Sequence, residues 1–248
     1  MASRKLPQGR TVGRSGRQVW VSDRAIGEPT ELWAQCQAEW GITGLYPVLF
    51  SWPLVEEGTW SLGGVATTDL DTDLEDAWRA ERVRFEEFDH RFPDGDHGDL
   101  KPTFTGWPGL AHGVPADPAL PGPEEAAASV VSRLLEEHHG LDDCHLVLAP
   151  VGRSADVPIV IGWQAETSLD RLCALLRSWE DRFGARVVVL QGSRMWVSVA
   201  RPPVTTEHAA HIALEHFLTG TDTMREFTPF ADYAAGLVGN HVWEFWWD

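Results

Sequence analysis

Apolar positions recur at three- and four-residue spacing through Leu169, Leu172, Cys173, Leu176, Trp179 and Phe183, while Asp170, Arg171, Arg177, Asp181 and Arg182 take the opposite side. That periodicity predicts an amphipathic helix. Thr167 or Ser168 is placed to cap its start, and Gly184 supplies the left-handed residue that commonly ends helices. Residues 186–190 then read as a buried strand, Gln191, Gly192 and Ser193 as a tight turn, and 195–200 as a return strand, so a hairpin is predicted to pack on the helix. Pro202 and Pro203 stop the second strand, and Thr205 or Thr206 caps the next helix.

Elsewhere the pattern is less even. Residues 18–22 read as a short strand, 29–40 as a helix with Leu32, Trp33, Cys36 and Trp40 on one stripe, and 45–50 as a strand. This β-α-β order predicts a parallel pair within the sheet. From 53 to 122 regular signals thin out, apart from a weakly amphipathic helix over 74–88, and seven prolines lie between Pro93 and Pro123. The stretch lacks enough periodic apolar sequence for its own core, so it reads as an irregular insertion. Residues 124–139 predict a helix, 143–151 a strand, 157–163 a short apolar run, and 206–218 and 229–238 two further helices. In an extended terminus Trp243, Phe245 and Trp247 would share one face. The fold class is therefore α+β: a single mixed β-sheet containing a hairpin, flanked by amphipathic helices, with an irregular acidic insertion. Residues 1–16, basic and aperiodic, read as a mobile tail, and 17–248 as one domain.

Three motif strings carry a resemblance: residues 176–188 (LRSWEDRFGARVV), 198–203 (SVARPP) and the ending 245–248 (FWWD). They resemble the actinobacterial family called domain of unknown function 4253, over roughly residues 124–248, with a fainter echo in Leu32, Trp33 and residues 43–47. The resemblance implies no particular activity. In that family a longer Asn- and Asp-containing loop follows the Gly162-Trp163 pair, and a Cys-Pro-Asp step follows the Phe217 region. This chain has residues 164–168 (QAETS) and 218–222 (LTGTD) there instead, so a polar site formed by those loops in relatives would be altered here.

Composition narrows the picture. A formal charge of −17 disfavours nucleic-acid and anionic-membrane surfaces, which draw affinity from a positive field. The charge is uneven: fourteen carboxylates face four arginines between Glu56 and Asp99, whereas residues 1–17 carry five cations and no acid. No apolar run reaches the ~20 residues of a membrane span and no apolar leader follows the basic start, so a cytoplasmic location is expected. Cys36, Cys144 and Cys173 lack metal-ligand or disulfide spacing and are expected to be reduced and mostly buried.

Three constellations bear on chemistry. His208, His211 and Glu215 are of zinc-ligand type on one side of a helix. Ala210, Ala213, Leu214 and Phe217 define the opposite, buried stripe, leaving the three facing solvent unless the insertion covers them. Residues 94–99 resemble a calcium loop but place glycine at the fifth position and Thr105 at the twelfth, so no metal is expected. Arg153, Ser154 and Asp156 follow a strand in a loop one residue short of a nucleophile elbow, and read either as a structural Asp–Arg brace or as a ligand loop. No dinucleotide fingerprint or phosphate loop occurs, and no cofactor is expected.

Two functions fit these residues. The first is a non-catalytic cytoplasmic binding protein, immunity- or antitoxin-like, whose acidic surface at Asp69, Asp71, Asp73, Glu75 and Asp76 meets a basic protein partner. Thirteen tryptophans supply anchors of the kind that dominate interfaces. The alternative is a small-molecule-binding protein or hydrolase with its site at residues 152–156.

Overall fold

The hairpin forms as β5 (Ala185–Gln191) and β6 (Arg194–Val199), turning at Gly192, whose φ of 55° is left-handed. A computed structural model describes residues 6–14, 17–25, 30–51, 62–67, 69–91, 101–137, 141, 143–164, 166–224 and 228–248. Around the hairpin lie β1 (Gly9–Arg14), β2 (Arg17–Ser22), β3 (Leu45–Phe50), β4 (His145–Pro150) and β7 (Val242–Trp246). The seven strands make one mixed sheet in the order β1-β2-β4-β3-β5-β6-β7. Among the described residues only β3 and β5 pair in parallel; the other neighbours are antiparallel. β2 and β3 do run the same way, as the β-α-β reading requires, yet they are not neighbours. β4 lies between them and pairs antiparallel with both.

One irregularity in β5 sets which side chains face which core. The register shifts between Val187 and Val189, so Val188 is an extra residue, and Val188 and Val189 both pack on the same side while Val187 and Leu190 pack on the other. A bulge leaves backbone groups without ladder partners. Here the Val187 N–H donates to Ser154 Oγ at 3.2 Å and its carbonyl accepts from the buried Tyr46 hydroxyl at 2.8 Å. Burial pushes the Tyr46 phenol pKa upward, which keeps it a donor.

Helices cover both faces. On one side α1 (Thr30–Thr43) and α4 (Pro123–Glu137) bury Trp33, Val130, Val131 and Leu134 against Leu49, Val189 and Trp196. On the other, α6 (Leu169–Phe183), α7 (Thr206–Phe217) and α8 (Phe230–Leu237) build the larger core around Trp179, Phe183, Trp243 and Phe245. Ser168 caps α6 and Gly184, at φ 63°, ends it. The apolar run after β4 is a 3-10 turn (Ser154–Asp156) continuing into α5 (Val157–Ile161), and the extended terminus buries Trp243, Phe245 and Trp247 on one face.

The segment read as an irregular insertion is more regular than its sequence suggests. It holds α2 (Gly63–Thr67) and a 22-residue α3 (Leu70–Arg91), which docks through Leu74 and Trp78 into the main core and sets Phe85 5.9 Å from Phe217. Residues 101–122 follow as a strap across α6 and α7 without helix or strand. A second correction concerns the amino terminus. Residues 9–14, expected within a mobile tail, form the edge strand β1, whose Arg10 reaches Asp23 at 3.3 Å. Residues 1–5 and the calcium-like stretch 94–99 lie outside the described residues. No described helix is long and apolar enough to cross a membrane, and the three cysteines are buried thiols.

Candidate functional site

Glu180, within the 176–188 string but outside the candidate trio, is the hub of the loop after β4. Its Oε2 accepts from Arg153 Nε at 2.7 Å; its Oε1 accepts from Ser154 Oγ and from the Ala155 N–H at 3.0 Å. Arg153 also reaches Asp181 at 2.6 Å and the Arg177 carbonyl at 2.9 Å, while Arg177 Nε donates to Asp156 at 2.7 Å. Ser154 is fully buried. The sequence-selected trio is thus brought together, with each member bound to α6 or β5: Arg153 and Asp156 pair with different partners, and the Ser154 hydroxyl is shared between Glu180 and Val187. A buried hydroxyl that donates to a carboxylate and accepts from a backbone N–H braces the loop against α6 and β5.

The helical-wheel expectation for α7 is overturned. Glu215 and His208 are buried at 0% and 5% exposure. The strap covers that face, and Glu215 is the anchor for it. Its carboxylate accepts from the Ala111 N–H at 2.8 Å, from Trp179 Nε1 at 2.7 Å, and from both terminal nitrogens of Arg182 at 2.7 Å each. Arg182 Nη1 also donates to the Ala111 carbonyl, and the Val114 N–H donates back to the Arg182 carbonyl at 3.0 Å. His208 stacks on His112 of the strap, ring centroids 4.0 Å apart, and its Nε2 lies 2.7 Å from the His112 carbonyl. Burial is the main cause that lowers the His208 pKa. His211 instead sits half-buried beside Phe104. With Glu215 committed to four donors, the trio does not converge, and among the described residues no group of three His, Cys, Asp or Glu is placed to hold a metal. The signal available in sequence was the unbroken apolar and aromatic company of Glu215 between Ile212 and Phe217, which left little of that turn for solvent.

His216, next along α7, is fully buried in a cage of Trp179, Trp243 and Phe245, with ring centroids 4.6–4.9 Å away. Its Nδ1 lies 2.9 Å from the Tyr233 hydroxyl, and its Nε2 has no hydrogen-bond partner among the described residues. Burial, and then the nearby Arg182 charge, lower its pKa to about 3, so it is a neutral ring at ordinary pH.

The acidic surface falls on α3. Eight carboxylates and four arginines lie on this helix, and only Leu74 and Trp78 are buried. Each of the five sequence-selected carboxylates has an internal partner: Asp69 caps Thr72, Asp71 accepts from Trp107, Asp73 pairs with Arg171, and Glu75 and Asp76 share Arg79. All stay at the surface, where such pairs are screened and weak. Farther along, Val83 and Phe88 are 50% and 40% exposed among Glu86, Glu87 and Asp89. Below α3 opens a cleft of about 340 Å³, lined by Glu81 and Arg84 of α3, Glu166, Thr167 and Ser168 before α6, and Leu218, Thr219 and Gly220 after α7. The two loops that depart from the resembled family's pattern therefore meet, with Thr167 Oγ1 donating to the Thr219 carbonyl at 2.8 Å.

A seven-stranded mixed sheet with helices on both faces defines an α+β protein, with a cleft between helices beneath α3. Residues 145–248 match the model of the family described as Domain of unknown function (DUF4253), so the C-terminal portion of the chain, from β4 onward, carries that domain. Neither the search of curated proteins nor that of solved structures found a match.

Proposed function

We propose that this chain is a non-catalytic, cytoplasmic binding protein that engages a basic protein partner through α3, in the manner of immunity or antitoxin proteins. The observation that carries this reading is the pairing on α3 of an acidic surplus with exposed Val83 and Phe88. Apolar side chains anchor an interface, and a surrounding rim of one charge speeds and orients the encounter with a partner of the other. Support for a non-catalytic role comes from Ser154, Glu180 and Glu215, whose polar atoms are turned to holding the fold. The test uses the full chain as bait in native lysate at low and moderate salt, beside two variants. One carries D69N, D71N, D73N, E75Q and D76N, the other V83S and F88S. A basic protein captured by wild type, weakened by salt and lost from both variants supports the reading. Identical proteins recovered with all three baits at both salt levels would overturn it.

A further inference from the structure

Arg133 lies on the exposed side of α4, where two surface depressions meet. One, of about 390 Å³, is lined by Leu120, Pro121, Ala126, Val130, Ala200 and His241 together with Arg133. The other, of about 380 Å³, is lined by Arg133 again and continues past Glu137 to Asn240, Val242 and Glu244 at the sheet edge. In a chain of net charge −17, most described arginines near this sheet are bound: Arg153, Arg177, Arg182, Arg186 and Arg194 each reach a carboxylate. Arg133 reaches none among the described residues. A guanidinium carries five donors in a planar fork suited to carboxylate.

The first depression has the walls of an organic ligand site. Leu120 is 58% exposed above it, Val130 and Ala200 form its floor, and its size lies within the usual range for small-molecule pockets. His241 is held in place at the groove wall, its Nδ1 2.8 Å from the Val199 carbonyl, which can only accept, so Nδ1 is the donor. The groove thus has a guanidinium at one end and an apolar body.

We propose that this groove binds an apolar monocarboxylate, a medium-length alkyl or aryl acid, with its carboxylate on Arg133 and its body against Val130, Ala200 and Leu120. This is independent of the α3 surface, which lies on the opposite face of the sheet. The probe is decanoate, kept below its micelle concentration and titrated into the full chain by calorimetry and by amide chemical shifts. Saturable one-site binding is expected, with shifts at Ala126, Val130, Ala200 and His241. Arg133→Gln should weaken it by about tenfold or more, and decanol, which lacks the charge, should bind wild type more weakly by a similar factor. Ala126→Trp, which fills the groove from the helix surface, should abolish binding without lowering the melting temperature. Absence of saturable binding, equal affinity for decanoate and decanol, undiminished binding to Arg133→Gln, or shifts confined to other parts of the fold would each overturn the proposal.

Discussion

Arg182 and Glu215 meet head-on between α6 and α7, Nη1 to Oε1 and Nη2 to Oε2, at 2.7 Å in both arms. The glutamate is fully buried, so its charge is stabilised only by this fork, Trp179 and Ala111. Arg182→Met should cost about 3–5 kcal/mol, because it strands a buried carboxylate. Glu215→Met should also release the strap, exposing residues around Ala111 to protease. The double variant, which removes both charges, should recover part of the loss. Urea unfolding of the three variants measures this, and a double variant no better than the worse single one would contradict it.

The caged imidazole gives an acid sensitivity with a defined window. In the unfolded chain His216 titrates near 6.5, whereas in the fold its pKa is lowered to about 3. Its neutral form is the one the core accepts. Between those values the unfolded chain takes up a proton that the folded chain refuses, so stability should fall by about 1.4 kcal/mol per pH unit as pH drops from about 6.5 toward 3, and level off below. His208, also lowered, acts in the same direction. His216→Phe should flatten the slope relative to wild type in unfolding measured across that range; parallel curves would show that the ring does not carry it.

Ser154 should behave as a strut in mutagenesis. Ser154→Ala leaves the buried Val187 N–H without its hydroxyl partner, while Glu180 Oε1 keeps the Ala155 N–H, a loss of about 1–3 kcal/mol. Partner capture through α3 should be unchanged. A stable Ser154→Ala protein that loses a binding activity would instead make residue 154 part of a working site.

Gly184 ends α6 at φ 63°, and a β-carbon there would lie 2.9 Å from Pro123 Cγ and 3.1 Å from Ala200 Cβ. Gly184→Ala is expected to destabilise by about 1–2 kcal/mol from backbone strain alone. The start of α4 must shift as well. Thermal melting reads the first effect, and amide shifts at Glu124 and Glu125 the second.

Legibility in the sequence followed how local each determinant is. α6, the hairpin and α4 could be read because their periodicity, caps and turn residues lie within the elements themselves. β1 could not, since Val12 is its one large apolar residue and its pairing with β2 supplies what its composition lacks. The place of β4 between β2 and β3 depends on a crossover of nearly one hundred residues. The burial of Glu215 and His208 was marked only by the apolar neighbours of Glu215, because what covers them is the strap, set by Ala111 and His112 from a proline-rich run without periodicity. The acidic helix was visible as charge, while the internal partners of Asp71 and Asp73 come from Trp107 and Arg171, distant in the chain.

The strand order carries a consequence for cutting the chain. The recognised domain begins at β4, but its own next strand, β5, is separated from β4 by β3, which comes from residues 45–50. The matched stretch is therefore smaller than the unit that folds. Cleaved ahead of residue 145, this protein should become two pieces that are each incomplete and that restore the sheet only when mixed, the longer piece returning β3 to the gap between β4 and β5 of the shorter one.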